Sequence, residues 1–209
     1  MRRWPLAALG LAALVIALAA WGFGRGLVDY QHARQPLSLL GATGAPGWRI
    51  ANLLLFVLPG LLVAAVAWAM RGRLPPASPW ALRMALQLGL LAALGYALQG
   101  VCNLDPNRLP DDGPNRWHAV AWMLWWLAFA ASAALMACSR GVPRGLRIFS
   151  VLAAAFVAMA MAMAGAMPWP AALVYRIGIA GWLGWWALVV LALSRGEASS
   201  PGSLPTAGR

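Results

Sequence analysis

Lysine is absent from the 209 residues and acidic side chains nearly so: sixteen arginines stand against four aspartates and one glutamate, for a net charge of +11. Every fixed cation is a guanidinium, which excludes a lysine nucleophile or Schiff base. Histidine occurs only as His32 and His118, and cysteine only as Cys102 and Cys138. The two thiols lack the spacing of a redox or zinc motif. They fall at opposite ends of successive apolar blocks, where about 30 Å of bilayer separates them and prevents an intramolecular disulfide. Gly-rich phosphate loops are missing as well, so neither a nucleotide-driven mechanism nor a bound cofactor is expected.

Charged residues make up only 10% of the chain, against about 25% in globular proteins. Hydrophobic residues make up 62% and come in blocks of about 20. A soluble domain of this composition has too little polar residue to cover its surface, and disordered or collagen-like chains are excluded with it. Blocks long enough to cross about 30 Å of hydrocarbon occupy residues 5–24, 49–70, 80–101, 117–138, 147–167 and 171–193. Lipid offers backbone amides no partner, and the blocks show no dyad alternation, so each is a helix. The expected fold class is all-α, a polytopic transmembrane helix bundle of six spans within residues 1–194.

One side of the spans collects ten arginines and one acid, the other six arginines and four acids. The positive-inside rule then places both termini in the cytoplasm. Residues 195–209, rich in Ser, Pro and Gly, read as a disordered cytoplasmic tail. Arg2, Arg3 and the run Ala17-Leu18-Ala19 imitate a signal peptide, but the apolar stretch continues through Phe23 to full membrane length, so a retained span is expected. Arg without Lys, with abundant Ala, Gly, Pro and Trp, fits a GC-rich bacterial genome; the expected location is a bacterial inner membrane, with membrane lipids as partners. The arginines sit singly or in pairs at block ends, with no basic stripe, so no nucleic-acid partner is expected.

The extracytoplasmic side holds Asp29, Tyr30, His32 and Ser38, then Asn103, Asp105, Asp111, Asp112 and His118. Its first loop, residues 25–47, is longer than the usual connection and apolar enough to fold back onto the bundle rim. Three segments carry a family resemblance: Pro36-Leu37-Ser38 with Gly41 leading through Trp48 to Asn52, Phe56 and Gly60; Asp105-Pro106 with His118; and Tyr175-Arg176 opening a Trp- and Leu-rich last span. In these segments the chain resembles the bacterial membrane family called domain of unknown function 998. The resemblance implies a six-helix membrane domain and brings no established reaction. Asn103-Leu104 stand where Phe-Pro commonly precedes the family's aspartate, and Arg116-Trp117 replace the glycine ahead of its histidine.

Ser38, His118 and Asp105 are the residue types of a nucleophile, a base and an orienting acid, and they are the catalytic candidates. The plainer reading is a capping serine, a turn aspartate and a histidine at the membrane interface. A metal would draw on His32, His118 and Asp105, but the ligand spacings of zinc sites are absent and no metal is expected. Asp105, Asn107, Asp111 and Asp112 read as a solvated acidic turn, since the order of a calcium loop is missing. His118, Trp122, Trp125, Trp126 and Phe129 share one helical stripe, read either as lipid-facing rings or as the wall of a ligand pocket. Trp122 and Trp125 from this stripe, with Tyr175 and Arg176, are the ligand-binding candidates. Arg176 is expected to pair with Asp29, Asp105, Asp111 or Asp112, or else to clamp an anionic headgroup. Arg83, with Gln87 beneath it, is expected to snorkel. Met159, Met163 and Met167 read as flexible packing, and Gly178, Gly181 and Gly184 as close helix contact.

Between the rims only Asn52, Gln87, Tyr96, Gln99 and Ser132 are polar, and no acid is among them, which disfavours proton-coupled transport. The function expected is to bind or move a lipid or amphipathic small molecule at an extracytoplasmic polar pocket. The alternatives are a membrane-embedded hydrolase or acyl transferase acting at the outer leaflet, and a subunit or assembly factor of a membrane complex.

Overall fold

A computed structural model describes residues 3–162 and 169–198. Among the described residues all regular structure is helical, and six helices are long and apolar enough to cross a membrane. They are α1 (Trp4–Gly26), α2 (Trp48–Gly72), α3 (Trp80–Val101), α4 (Gly113–Cys138), α5 (Arg144–Ala162) and α6 (Ala171–Ala198). Helix α4 begins ahead of its apolar block, because Pro114 fits a first turn in which its missing N–H has no partner to lose. Helix α6 runs to Ala198, and its apolar membrane-length part ends at Ser194. The rest of the expected tail, 199–209, lies outside the described residues, as do Met163 and Met167 of the methionine stripe. Met159 is exposed.

Helices adjacent in sequence lie side by side, and α1 returns to α6 to close a ring. Lipid is as apolar as leucine, so helices here associate through close packing rather than the hydrophobic effect. The tightest group is α2, α3 and α4. A Cβ on Gly60 of α2 would stand 2.7 Å from the Ala97 backbone nitrogen of α3, so only glycine permits that approach. Of the three glycines expected to make close helix contact, Gly178 of α6 lies against the Trp126 ring, Gly184 only reaches the Phe149 ring at 4.0 Å, and Gly181 has open space beside it.

The centre is filled by aromatic rings. Tyr96, Trp125, Trp126, Trp182, Trp185 and Trp186 are buried, and Trp125 lies 5.4 Å from Tyr96, 4.7 Å from Trp126 and 5.8 Å from Trp182 between ring centroids. This corrects the reading of the α4 stripe as lipid-facing: Trp125, Trp126 and Phe129 are core, while Trp4, Trp21, Trp68, Trp80, Trp117 and Trp169 are exposed. Trp185 Nε1 donates to Ser150 Oγ at 2.8 Å and ties α6 to α5.

Within α2, residues Leu53–Val57 form a π-helical turn just ahead of Pro59. Proline has no N–H, so the Leu55 carbonyl, four residues earlier, loses its α-helical donor. Tyr96 of α3 supplies the replacement: its hydroxyl donates to Leu55 O at 3.0 Å, fully buried. One of the few midplane polar residues is thereby committed to the backbone. Ser132 is committed likewise, its Oγ donating to Ala85 O at 2.6 Å. Cys102 and Cys138 are free thiols.

A polar cavity beneath the first loop

The connections at one end of the bundle, residues 27–47 and 102–112 with the start of α6, form a loop rim. The first loop folds back as its apolar residues predict: Leu37, Leu40 and Ala42 are buried, and Leu37–Leu39 make a single 3₁₀ turn. Asn52, buried near the start of α2, fastens it. Its Nδ2 donates to Gly41 O at 2.7 Å and to Asn103 Oδ1 at 3.0 Å. The Thr43 N–H donates to Leu104 O at 2.8 Å, so both long loops are joined. A side chain at position 41 would collide with Asn52, which accounts for glycine there.

Arg176 fastens the other end of the same loop. Nη1 donates to Gln35 O and to Ala172 O, each at 3.0 Å, and Nη2 donates to Tyr30 Oη at 2.7 Å. This overturns the expected ion pair with Asp29, Asp105, Asp111 or Asp112. Among the described residues Arg176 has no acidic partner, and the two ion pairs present join Arg108 to Asp105 at 3.2 Å and to Asp112 at 3.5 Å. The guanidinium is met by one loop carbonyl, one carbonyl from the first turn of α6 and one loop hydroxyl, none of them charged. Burial pushes the Tyr30 hydroxyl above its ordinary value, with the Arg176 charge and hydrogen bond pulling the other way. Arg83, exposed, points to Pro76 O at 3.5 Å.

The second loop is organised by Asn115, a residue that sequence patterning did not single out. Its buried amide accepts from the Asp105 N–H at 2.6 Å and donates toward the carbonyls of Asp105, Leu109 and Arg108 at 2.9, 3.1 and 3.3 Å. Asp105 is spent on the same turn, one carboxylate oxygen accepting from the Asn107 N–H at 3.0 Å and the other from Arg108 Nε at 3.2 Å.

His118 is buried, in contrast to exposed Trp117 beside it, and so is no surface anchor. Its Nδ1 lies 2.8 Å from Cys102 O, just past the end of α3, and 3.1 Å from Gln99 O in its last turn. Both partners are acceptors only, so Nδ1 carries the hydrogen and Nε2 is left on the far edge of the ring. The orienting role foreseen for Asp105 therefore belongs to two backbone carbonyls, because helix ends expose carbonyls that need donors.

A cavity of about 260 Å³ opens beside this ring, lined by Arg34, Pro36, Ser38, Gln99, His118, Trp122, Ala171, Ala172 and Tyr175. The structure thus brings together Ser38, His118, Trp122 and Tyr175 among the expected residues. It leaves out Asp105, and also Trp125, which stands behind Tyr175 at 5.5 Å as core. His32 packs edge-on to Tyr30 at 5.0 Å, and among the described residues no three His, Cys, Asp or Glu side chains gather as a metal cluster. Gln99 was visible in the sequence only as a midplane polar residue. Its Oε1 accepts from Tyr175 Oη at 2.9 Å, while its fully buried Nε2 has no partner among the described residues.

A second, larger cleft of about 610 Å³ lies between α1 and α6. Leu9, Ala13, Ile16, Ala20, Leu183 and Ala187 line it, and Leu37 with Arg176 closes its loop-rim end. From Leu6 to Ala20 it runs about 21 Å along α1. The segment 36–38 divides the two spaces: Leu37 faces the cleft, Pro36 and Ser38 the cavity. No protein-family model, curated protein or solved structure matches this chain.

Proposed function

We propose that the protein binds an anionic lipid or amphiphile, its chain lying in the α1–α6 cleft and its head against Arg176, in the inner membrane of a bacterium. The carrying observation is an apolar cleft closed at one end by a guanidinium with donors to spare. Arg176 has five N–H groups, of which three are engaged by Gln35, Ala172 and Tyr30, leaving two for a ligand. The cleft's length of about 21 Å exceeds the ~15 Å depth of one leaflet of a ~30 Å hydrocarbon core. The arginine asymmetry supports cytoplasmic termini, and with them a loop rim on the outer face. The same rim gathers residues from all three segments that carry the resemblance to domain of unknown function 998.

Retention of phosphatidylglycerol against phosphatidylcholine, measured by native mass spectrometry after detergent extraction, tests the reading. Ala13→Trp fills the cleft without touching the loop contacts and should abolish selective retention, while Leu14→Trp on the exposed face of α1 should not. Arg176→Leu should weaken phosphatidylglycerol retention about tenfold or more, the worth of a charge-assisted hydrogen bond, with Arg71→Leu unchanged. Equal retention in Ala13→Trp and Leu14→Trp would remove the basis of the proposal.

A further inference from the structure

We infer that the 260 Å³ cavity is a catalytic site in which Ser38 serves as nucleophile and His118, lining the same cavity, as general base to cleave carboxylic esters of small acyl groups. The site is separate from the α1–α6 cleft and does not depend on lipid being held there. Four observations converge. Ser38 lines the cavity on a 3₁₀ turn that is anchored at Gly41 and Gln35, and its hydroxyl has no hydrogen-bond partner among the described residues. The His118 ring lines it from the opposite element, with Nδ1–H fixed on Gln99 O and Cys102 O, the tautomer that leaves Nε2 basic. Gln99 Nε2 is a fully buried donor with no partner among the described residues, and its residue lines the cavity. A buried unpartnered amide costs about 1–3 kcal/mol, a cost recovered when an acceptor arrives. Trp122, Pro36 and Tyr175 supply apolar walls, and Arg34 stands at the exposed edge.

In the reaction Ser38 Oγ bonds to the ester carbonyl carbon while His118 Nε2 takes the hydroxyl proton. The carbonyl oxygen, now anionic, accepts from Gln99 Nε2. Collapse breaks the bond to the leaving alkoxide, which departs with the proton from His118. Water then attacks the acyl-serine, giving one proton to His118 Nε2; collapse breaks the bond between the acyl carbon and Ser38 Oγ, which takes that proton back from His118 as the carboxylic acid leaves. Backbone carbonyls stabilise an imidazolium less than a carboxylate does, so turnover slower than that of a full triad follows.

The experiment uses the full chain in detergent micelles, with a fluorophosphonate–rhodamine probe for the nucleophile and para-nitrophenyl butyrate for turnover. The wild type should take up the probe and hydrolyse the ester. Ser38→Ala, which removes one oxygen from a half-buried position, should do neither. His118→Asn keeps an amide N–H for the two carbonyls and loses only the base, and should slow both by about 10² or more. Gln99→Met should reduce turnover by about 10². Size-exclusion profiles like the wild type's establish that each variant is folded. A folded wild type that neither labels nor turns over overturns the inference, as does labelling that survives in Ser38→Ala or runs at the wild-type rate in His118→Asn. Ala13→Trp should leave labelling intact, which separates failure here from failure of lipid binding.

Discussion

Helices α1 and α2 have nearly the same mean hydropathy and cross the same bundle, yet the protein holds them differently. The apolar stretch of α2 is 56% buried inside the protein and that of α1 only 22%. Hydropathy decides that both enter lipid; side-chain shape decides which is gripped. Helix α2 presents Gly60 to the α3 backbone, Pro59 frees a carbonyl that Tyr96 captures, and Asn52 ties the helix to both loops. Helix α1 offers leucines and alanines all round, and Gly10 and Gly22 have nothing within 4 Å. Such a helix leaves a seam against α6, and the seam is the cleft.

The sharpest way to break this comparison is to give both helices the same insult. Gly60→Leu drives a side chain into the backbone of Ala97 and should cost about 3 kcal/mol or more, enough to abolish a monodisperse folded peak on size exclusion. Gly10→Leu enters open space and should leave the melting temperature within a few degrees of wild type. Similar losses from the two would mean that α1 is gripped as firmly as α2. A smaller effect is expected at the loop anchor. Asn52→Leu strands Gly41 O and Asn103 Oδ1 and should cost about 2 kcal/mol, with faster proteolysis within residues 27–47, whereas Asn107→Leu on the exposed turn should change neither.

The smallest effect is a pH dependence at Tyr30. Its folded value is raised above 10.0, so the neutral hydroxyl is the form the fold prefers. The contribution is present in full below the unfolded value near 10 and is lost as pH rises through the folded one. The difference in melting temperature between wild type and Tyr30→Phe should therefore be flat from about pH 6 to 9 and shrink above 10. A difference that instead grows with pH would show that the Arg176 charge outweighs burial.

The six helices were legible because lipid imposes one rule on every residue of a span, that its backbone be satisfied internally, and the apolar blocks announce where that rule applies. The folding back of the first loop was legible too, since Leu37, Leu39 and Leu40 have no place in water. The site was legible in part. Of the candidates, Ser38, His118, Trp122 and Tyr175 line one cavity while Asp105, Trp125 and Arg176 do not, and the partners of His118 and most of those of Arg176 did not follow from sequence, because they are backbone carbonyls and every residue carries one. Asn115 and Gln99 were obscured for a similar reason: a single amide in a polar loop or an apolar span has no periodicity to mark it.

What the sequence determined alone was the solvent: 62% hydrophobic residues in blocks of membrane length permit nothing but a helical bundle in lipid. It also determined which segments are rims, through arginine and proline. Only the tertiary structure decided which aromatic rings are core, that Asp105 serves its own turn, and that a cavity and a cleft lie on either side of Leu37. Periodicity places a residue on a face, but which face meets another helix is settled by close packing among all six at once, and that information is distributed over the whole chain.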